Sequence, residues 1–303
     1  MIRFRPGARA LLAAFLLLAG CAAAPPVPPE FEPPRAVGLA PLRAERPIVA
    51  LALGGGGARG FAHVGVIEEL ERNGIVPDIV VGSSAGSFVG ALYAGGIGGA
   101  ALEEIALGME EADVRDLVIS RLGFVRGERM QAFINRRLQD RRIEELPRRF
   151  AAVATDLASG ARVAFTRGDT GMAVRASSSF PVLFQPVEIE GRRYMDGGLT
   201  SPVPVEVARA LGADVVIGVD VGRRPEYAGA LDSLPEIILQ ALAIMGKYVG
   251  QAERQSADVL IVPDVSDVGL VDFPHRKAAI DAGAAAGRGA IEAIRKAIAA
   301  RKP

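Results

Sequence analysis

An alternation of short apolar runs with amphipathic helical segments constrains this chain more than any other feature of its sequence. Residues 48–53 form an apolar run of strand type, followed by the glycine-rich residues 54–60 and then by a helical pattern. Residues 79–81 form a second run, which leads into a glycine–serine turn and a helix of small residues, 85–94. Strands that alternate with helices form a largely parallel sheet covered on both faces. The sequence therefore predicts an α/β fold with a mostly parallel central sheet.

The same two signals recur along the rest of the chain. Strands are predicted at residues 150–154, 162–165, 187–189, 215–219 and 259–262, and helices at residues 99–119, 127–140, 204–211, 235–255 and 276–300. In α/β folds, ligands bind beyond the carboxyl ends of the strands. Both glycine-rich junctions lie at such ends, which makes them the first candidates for a functional site.

The composition excludes several classes of protein. The 303 residues include 35 Lys and Arg and 35 Asp and Glu, so the chain has no excess of positive charge with which to bind nucleic acid. One cysteine rules out an intramolecular disulfide and a multi-cysteine zinc site, and two histidines leave little for a histidine-based metal centre. We therefore predict no metal, no organic cofactor and no nucleic-acid partner.

The N-terminus has the features of a secretory signal. A basic segment with Arg3, Arg5 and Arg9 precedes an unbroken apolar run at residues 10–19, far shorter than the ~20 residues that a spanning helix needs. The run ends in Leu-Ala-Gly-Cys, which places the single cysteine of the chain at position 21 and resembles the bacterial lipobox. The resemblance implies cleavage before Cys21 and the attachment of acyl chains to it.

A lipobox predicts a membrane-anchored protein. Residues 1–20 are then a lipoprotein signal peptide, and several acyl chains on Cys21 hold the mature chain on a membrane. The proline-rich residues 21–47 are predicted to form an extended tether. An aspartate directly after the lipidated cysteine would resemble an inner-membrane retention signal, but this position is Ala22. We therefore expect an outer-membrane location facing the periplasm.

Residues 82–86 carry the strongest catalytic signal. Gly82, Ser84 and Gly86 fit the G-x-S-x-G motif, with a predicted strand before it and a predicted helix after it. Such a turn exposes one hydroxyl at a helix N-terminus, where the helix dipole favours developing negative charge. Ser84 is therefore predicted to be a nucleophile. A structural turn, in which the serine only caps the helix, is the alternative.

The first glycine segment has two interpretations. Residues 55–60 fit G-x-G-x-x-G, which also occurs in dinucleotide-binding folds, but those folds need an acidic residue at the end of the second strand, and Asp78 precedes that strand. The interpretation that uses both glycine motifs is an oxyanion hole, in which consecutive glycine amides bind a carbonyl oxygen and an arginine adds positive potential. Its predicted members are the consecutive glycines of this segment, together with Arg59.

A serine nucleophile needs a base. His63 lies three residues after the glycine segment, where we predict a packed or capping role, and His275 is the histidine that would complete a Ser-Asp-His triad of the α/β-hydrolase kind. The other option is a carboxylate that acts directly on Ser84. Two glycines follow Asp196, which suits a tight turn, whereas the residues after Asp156 are typical of an Asx turn. The residues alone do not separate three candidates at strand ends: Asp156, Asp196 and Asp220.

Taken in order, these motifs make the sequence similar to the bacterial patatin-like phospholipases. The motifs are Gly55-Gly56-Gly57-Ala58-Arg59-Gly60, then Gly82-x-Ser84-x-Gly86, then Asp196-Gly197-Gly198. The resemblance covers residues 48–220 and continues more weakly to the C-terminus. It implies a three-layer α/β/α sandwich, in which residues 48–220 are the catalytic domain and residues 221–303 add a strand and covering helices.

The resemblance also implies a chemistry. It implies a Ser84–Asp196 dyad without histidine and an oxyanion hole formed by Gly55, Gly56 and Gly57. Such a site would hydrolyse acyl esters of phospholipids or lysophospholipids through an acyl-enzyme and without a metal. Two alternatives stay open at this point. One is a Ser-Asp-His triad that uses His275, and the other is a catalytically inactive scaffold anchored by lipid.

Two further segments bear on membrane contact. Residues 115–149 hold ten arginines against five acids, which predicts either a solvated helical face or a basic cap that meets anionic headgroups. Residues 235–249 form an apolar helical pattern, for which we predict core packing, with a lipid-facing role as the alternative.

Overall fold

The short apolar runs pair into one eight-stranded sheet. The computed structural model describes residues 32–42, 44–114, 116–117, 123–227 and 231–301. The strands are β1 Val49–Leu53, β2 Ile79–Ser83, β3 Arg149–Asp156, β4 Arg162–Phe165, β5 Val187–Ile189, β6 Arg192–Asp196, β7 Val215–Val219 and β8 Val259–Ile261. Every residue of β1, β2 and β7 is buried, as expected for strands with both faces covered.

The sheet is mostly parallel. Its strand order is β5-β6-β3-β2-β1-β7-β8, and β4 also pairs with β3. β3, β2, β1, β7 and β8 run parallel to one another, whereas β4, β5 and β6 add antiparallel pairs beside β3. The predicted α/β fold is therefore confirmed. Every predicted strand is present, and β6 is an additional strand that the apolar pattern did not predict.

Ten α-helices occur in the described ranges. They are α1 Ala62–Arg72, α2 Ala85–Ala94, α3 Gly99–Gly108, α4 Glu111–Val114, α5 Glu128–Leu138, α6 Thr170–Ser177, α7 Val205–Ala210, α8 Leu234–Val249, α9 Gln251–Ser256 and α10 Arg276–Ala300. Two predicted helices are each divided in two. α3 and α4 replace the helix predicted at residues 99–119, and α8 and α9 replace the one predicted at residues 235–255. α6 was not predicted from the sequence, and its N-cap, Asp169, accepts a hydrogen bond from the amide of Met172.

Alternate residues of β1 point into two separate cores. Val49, Leu51 and Leu53 belong to the larger core, which is shared with α1, α2, α3, α5, α6 and α10. Ala50 and Ala52 belong to the smaller core, where α7 covers the other face of the sheet. These are the three layers of the predicted α/β/α sandwich. The smaller core uses alanine in β1, which lets the short α7 approach the sheet closely.

The register of β3 brings the ends of β2 and β6 together. Ala152 pairs with Gly82 of β2 and also with β4, and Ala154 pairs with Asp196 of β6 and also with β4. Because a strand has only two edges, β4 occupies one edge of β3, and β2 and β6 share the other edge end to end. The residue after β2 therefore meets the last residue of β6.

Residues 32–42 and 44–47 pack on the sheet domain, although the sequence predicts an extended tether over residues 21–47. Arg35 forms a backbone bridge with Arg167, its amide donating to the carbonyl of Arg167 at 2.9 Å. The residues from Glu32 onward form one compact unit. The predicted signal peptide, Cys21 and the first part of the tether lie outside the described residues.

Glycines allow α1 and α10 to cross in close contact. A Cβ atom built on Gly65 would lie 2.0 Å from the backbone oxygen of Ile280, and one on Gly283 would lie 1.9 Å from the backbone oxygen of Ala62. These distances are far below van der Waals contact, so only glycine fits at either position. The crossing holds α1, which begins just after the first glycine segment, against the rest of the domain.

We predict that Gly65→Ala lowers the free energy of unfolding by about 1–3 kcal/mol, because the added methyl group forces the two helices apart. Denaturant unfolding measures the change. The control is Gly289→Ala in α10, where a Cβ atom meets nothing within 4 Å. This control should stabilise the protein by about 0.5–1 kcal/mol through helix propensity. A loss of stability of the same size in both variants would contradict the close crossing.

Candidate active site

Ser84 is the single residue between β2 and α2. β2 ends at Ser83 and α2 begins at Ala85, and Ser84 has a φ of 54° and a ψ of −125°, outside the regions that L-residues usually adopt. Such a conformation costs about 1–3 kcal/mol and persists only where the surroundings hold it. The turn places the hydroxyl of Ser84 at the amino end of α2.

The glycines of the G-x-S-x-G motif are required by close backbone contacts. A Cβ atom on Gly82 would lie 2.3 Å from the backbone oxygen of Gly86, and one on Gly86 would lie 2.1 Å from the backbone oxygen of Leu53. The first glycine segment lies against the same turn, since a Cβ atom on Gly55 would lie 3.1 Å from the Cβ of Ser84. The two predicted motifs are therefore neighbours in the structure.

Asp196 meets Ser84 across 112 residues of chain. Ser84 Oγ donates a hydrogen bond of 2.5 Å to Asp196 Oδ2, and the amide of Gly198 donates to Asp196 Oδ1 at 2.7 Å. The carboxylate is 3% exposed, and this burial raises its pKa to about 6, although the hydrogen bonds from Ser84 and Gly198 act in the opposite direction. Above that pH the group is an ionised carboxylate with higher proton affinity than a solvated aspartate.

The structure leaves fewer amide donors for an oxyanion hole than the sequence predicts. The amide of Gly55 already donates to the backbone oxygen of Pro202 at 3.0 Å, so Gly55 is not an available donor and that part of the prediction is wrong. The amides of Gly56 and Gly57 have no acceptor within the described ranges. Gly57 has a φ of 60°, and a Cβ atom there would lie 2.3 Å from the backbone oxygen of Leu270. Two amides without a described acceptor thus remain in the glycine segment, which lines the same cavity as Ser84.

Arg59 holds the glycine segment in place. Its Nε donates to the backbone oxygen of Val221 at 3.0 Å, and its Nη1 donates to that of Val268 at 3.2 Å. Burial, reinforced by the nearby charge of Arg223, lowers the pKa of Arg59 to about 10, so the side chain stays cationic at neutral pH. These contacts tie the loops after β7 and β8 to the glycine segment and leave Arg59 as a source of positive potential.

Neither histidine contacts the serine. His63 is fully buried and its Nε2 donates to the backbone oxygen of Gly54 at 2.8 Å, and burial lowers its pKa to about 4, so it stays neutral and packed as predicted. His275 is exposed at the start of α10, where its Nδ1 bonds to the carboxylate of Asp272 at 2.7 Å. The hydroxyl of Ser84 is already bonded to Asp196. The structure thus favours the dyad over the triad with His275.

The other candidate aspartates have structural partners. Asp156 accepts from the amide and hydroxyl of Ser159 in an Asx turn and pairs with Arg192 at 2.9 Å. Asp220 accepts from the amide of Gly222 at 2.9 Å. Asp78 is the acidic residue whose spacing comes nearest to that of a dinucleotide site. Its carboxylate accepts a hydrogen bond from the amide of Val49, at the amino end of β1. The glycine segment lies at the carboxyl end of that strand, so Asp78 is not its partner.

Ser177 is a site residue that the sequence analysis did not identify. The amide of Ser84 donates to Ser177 Oγ at 3.0 Å, and Ser177 Oγ donates to the backbone oxygen of Val153 at 2.5 Å. It ties the strained turn to β3, beside the point where β2 and β6 meet. A run of three consecutive serines at residues 177–179 was the only signal in the sequence, and nothing local shows which of them faces the turn.

Ser84 and Asp196 line a cavity of about 1100 Å³, large enough for a lipid-sized ligand. Its apolar lining comes from α2, α3, α5 and neighbouring loops, and includes Phe88, Leu92, Leu102, Ile105, Met130 and Phe184. Its basic lining comes from the loop after β7 and from α8 and α9, and includes Arg223, Arg224, Lys247 and Arg254. The same lining contains Asp220, Glu226, Asp264 and Asp267, so the polar part of the cavity carries both signs of charge.

Comparison with known proteins agrees with this geometry. The family model described as patatin-like phospholipase matches residues 51–209, which include both glycine motifs and Asp196. An uncharacterized NTE family protein of Mycobacterium bovis is 37% identical over 202 residues, which are 65% of this chain and 55% of that protein. A second such protein, of Mycobacterium tuberculosis, is 33% identical over 273 residues, which are 81% of this chain and 46% of that protein. The chain thus spans about half the length of these relatives.

A solved structure shares the fold. VipD from Legionella pneumophila superimposes with a TM-score of 0.56 over 86% of this chain and 71% of that chain, at 14% sequence identity. At this identity the similarity concerns the arrangement of strands and helices.

We predict that Asp196→Asn stabilises the protein at neutral pH. Burial raises the pKa of Asp196 from 3.8 to about 6, so the folded state binds the proton more tightly than the unfolded state between these values. The stability that this proton contributes is present at low pH and is lost as the pH rises through about 6. Asparagine avoids that loss, and we expect the free energy of unfolding at pH 7.5 to rise by about 2–3 kcal/mol.

Urea unfolding at pH 4 and pH 7.5 measures this effect, which should shrink at pH 4. Asp156→Asn is the matched control, because hydrogen bonds from Ser159 lower the pKa of Asp156 and its substitution should destabilise the protein at pH 7.5. An Asp196→Asn variant that is less stable than the parent at pH 7.5 would rule out a costly buried carboxylate.

Proposed function

Because this chain belongs to the patatin-like phospholipase family, we propose that it is a serine acyl-ester hydrolase that acts on phospholipids or lysophospholipids. The observation that carries the proposal is the 2.5 Å hydrogen bond from Ser84 Oγ to a buried carboxylate, at the wall of a large apolar cavity. A nucleophile, a base and free amides lie together there. These are the components that acyl transfer requires.

In the first half of the proposed reaction, Asp196 Oδ2 takes the proton of Ser84 while Ser84 Oγ attacks the ester carbonyl carbon. The amides of Gly56 and Gly57 donate to the oxyanion, and removal of one such donor typically costs about 3–4 kcal/mol in the transition state. The tetrahedral intermediate then collapses, Asp196 gives its proton to the leaving alkoxide, and the acyl group stays on Ser84 as an ester.

In the second half, water replaces the alcohol. Asp196 takes a proton from the water, whose oxygen attacks the acyl carbon, and the same amides hold the second oxyanion. Ser84 Oγ leaves and recovers its proton from Asp196, and a fatty acid is released. The base is competent only when ionised, so activity depends on a pH above the pKa of Asp196, which burial raises to about 6.

Two groups of lining residues match the two parts of a phospholipid. The apolar residues of α2 and α3 are suited to an acyl chain, which gains about 0.8 kcal/mol for each buried CH2. Arg223 and Arg224 form no salt bridge with a described residue, although Arg224 lies near Glu226, and their guanidinium groups are suited to a phosphate headgroup. We propose that the ester bond lies between these two regions, at Ser84.

We predict that Ser84→Ala and Asp196→Asn each reduce kcat/KM for phospholipid and lysophospholipid substrates by at least about 1000-fold, because each removes a group that takes part in bond making. Fatty-acid release from defined substrates measures the loss. Circular dichroism and unfolding curves establish that the variants remain folded.

The matched controls are Asp220→Asn and His275→Ala. Asp220 lines the cavity, whereas His275 is bonded to Asp272 outside the lining. Neither side chain is bonded to Ser84, so both variants should keep most of the activity. Retained turnover by Asp196→Asn would contradict the Ser84–Asp196 dyad. A loss of activity in His275→Ala but not in Asp196→Asn would favour the triad. A parent protein that hydrolyses no ester and is not labelled by a fluorophosphonate at Ser84 would instead support the inactive scaffold.

We further propose that acylation of Cys21 anchors the protein to the outer membrane, facing the periplasm. The lipobox-like sequence before Cys21 supports this proposal. In cells grown with labelled palmitate, the parent chain should carry the label and a Cys21→Ala variant should carry none. The parent chain should also fractionate with outer membranes. Equal labelling of the two proteins, or a parent chain found in the soluble fraction, would refute the anchor.

A further inference from the structure

Helix α8, Leu234–Val249, is apolar on two opposite faces. At 100° per residue, Leu239, Leu242 and Gly246 fall on one face, together with Ala243, and this face lines the cavity. Leu234, Ile237, Ala241, Ile244, Met245 and Tyr248 fall on the opposite face, which we call the outer face. The helix has no buried residue, although the sequence predicts core packing for this segment. Core packing is therefore wrong for α8.

The outer face is exposed to an unusual degree. Leu234 and Tyr248 are each 70% exposed, Met245 is 60% exposed and Ile237 is 51% exposed. Single exposed apolar residues are common on protein surfaces, but a continuous stripe along a four-turn helix is typical of a surface that binds something apolar. Within the described ranges, no element covers this stripe.

The helix is held in place along its polar edge. Gln240 Nε2 donates to the backbone oxygen of Pro225 at 2.9 Å, and Lys247 forms an ion pair with Glu226. Ser233 caps the amino end in a capping box with Glu236. These contacts keep one apolar face on the cavity and the other directed outward.

Two observations indicate that the partner is a lipid bilayer. The inner face of α8 lines the same cavity as Ser84, so the outer face is one helix diameter away from the space that receives the substrate. The cavity lining beside α8 includes Arg223 and Arg224, which form no salt bridge with a described residue, although Arg224 is close enough to Glu226 to help lower the pKa of that carboxyl. The two guanidinium groups are complementary to anionic headgroups. A protein partner would need neither this continuity with the cavity nor these cations.

The length of the helix sets its orientation. Sixteen residues span about 24 Å, less than the ~30 Å hydrocarbon core, and no helix in the described ranges is long and apolar enough to cross a membrane. A helix of this kind lies in the plane of the interface, with its apolar face among the acyl chains and its polar edge among the headgroups.

We propose that the outer face of α8 docks on a bilayer that contains anionic lipid and places the mouth of the Ser84 cavity against the lipid surface. The basic segment 115–149 is a weaker candidate for this contact. Arg142 in that segment is paired with Glu32 and Glu145, and Arg137 lies over the ring of Phe133. Their charges are used within the protein, whereas the outer face of α8 is free.

A site-specific label tests the docking without reference to catalysis. Because Cys21 is the only cysteine, Cys21→Ser provides a background into which Met245→Cys introduces a single thiol for a nitrobenzoxadiazole label. Vesicles of phosphatidylethanolamine and phosphatidylglycerol should shift its emission to shorter wavelength, and lipids with a nitroxide on the acyl chain should quench it. The control is Val76→Cys, at a residue that is 50% exposed and precedes β2, at the end of the strand away from Ser84.

The label at position 76 should not respond to vesicles. Both labelled proteins keep the same unprocessed N-terminal segment, so any affinity of that segment for lipid affects both equally and cancels in the comparison. An unchanged signal at position 245 would overturn the proposal. A shift that appears without vesicles and grows with protein concentration would also overturn it, because it would assign the outer face to a second copy of the chain.

A turnover measurement, which rests on the proposed function, provides a second test. The double variant Met245→Glu/Tyr248→Glu should hydrolyse phospholipid in vesicles about tenfold more slowly than the parent, because two charges are driven into the acyl-chain region. Hydrolysis of a short, water-soluble ester should be unchanged, and Val76→Glu should leave both rates unchanged. Equal rates on vesicles for parent and double variant would overturn docking, whereas a parent inactive on both substrates would refute only the hydrolase function.

Discussion

The shared edge of β3 is the constraint on which the candidate site depends. β2 and β6 reach that edge from opposite directions, and their last residues pair with Val153 and Ala154, which are consecutive. The residue after β2 has no room to move away from the end of β6, so Ser84 and Asp196 come within hydrogen-bond distance. Ser177 joins the same point, since it binds the amide of Ser84 and the backbone oxygen of Val153. The dyad geometry therefore follows from sheet register.

Two features of the candidate site cost stability. Ser84 has a strained backbone conformation and Asp196 is a carboxylate removed from water, and both features cost free energy that the packed sheet and the crossing of α1 and α10 offset. The hydroxyl of Ser84 is itself largely buried and lies at the amino end of α2, against the carboxylate. The same burial that weakens the fold at neutral pH raises the proton affinity of Asp196.

Helix α8 connects the cavity to the surface of the protein. One of its faces lines the space in front of Ser84, and the other is an exposed apolar stripe. Amphipathic periodicity alone assigns such a segment to the core, because a helix that is apolar around most of its circumference is usually buried. Here the helix lies over a cavity, and among the residues that the structure describes no second layer of protein covers it.

Local chemistry in the sequence predicted most of the strands and helices and identified Ser84 as the candidate nucleophile. Apolar runs of five residues form strands wherever both sheet faces are covered, and G-x-S-x-G forms a tight turn because neither Gly82 nor Gly86 has room for a Cβ atom. Only the tertiary structure decided that Asp196 is the carboxylate that meets Ser84, and that the amide of Gly55 is already occupied by the backbone oxygen of Pro202. Both outcomes depend on pairing between segments more than a hundred residues apart, which no local pattern records.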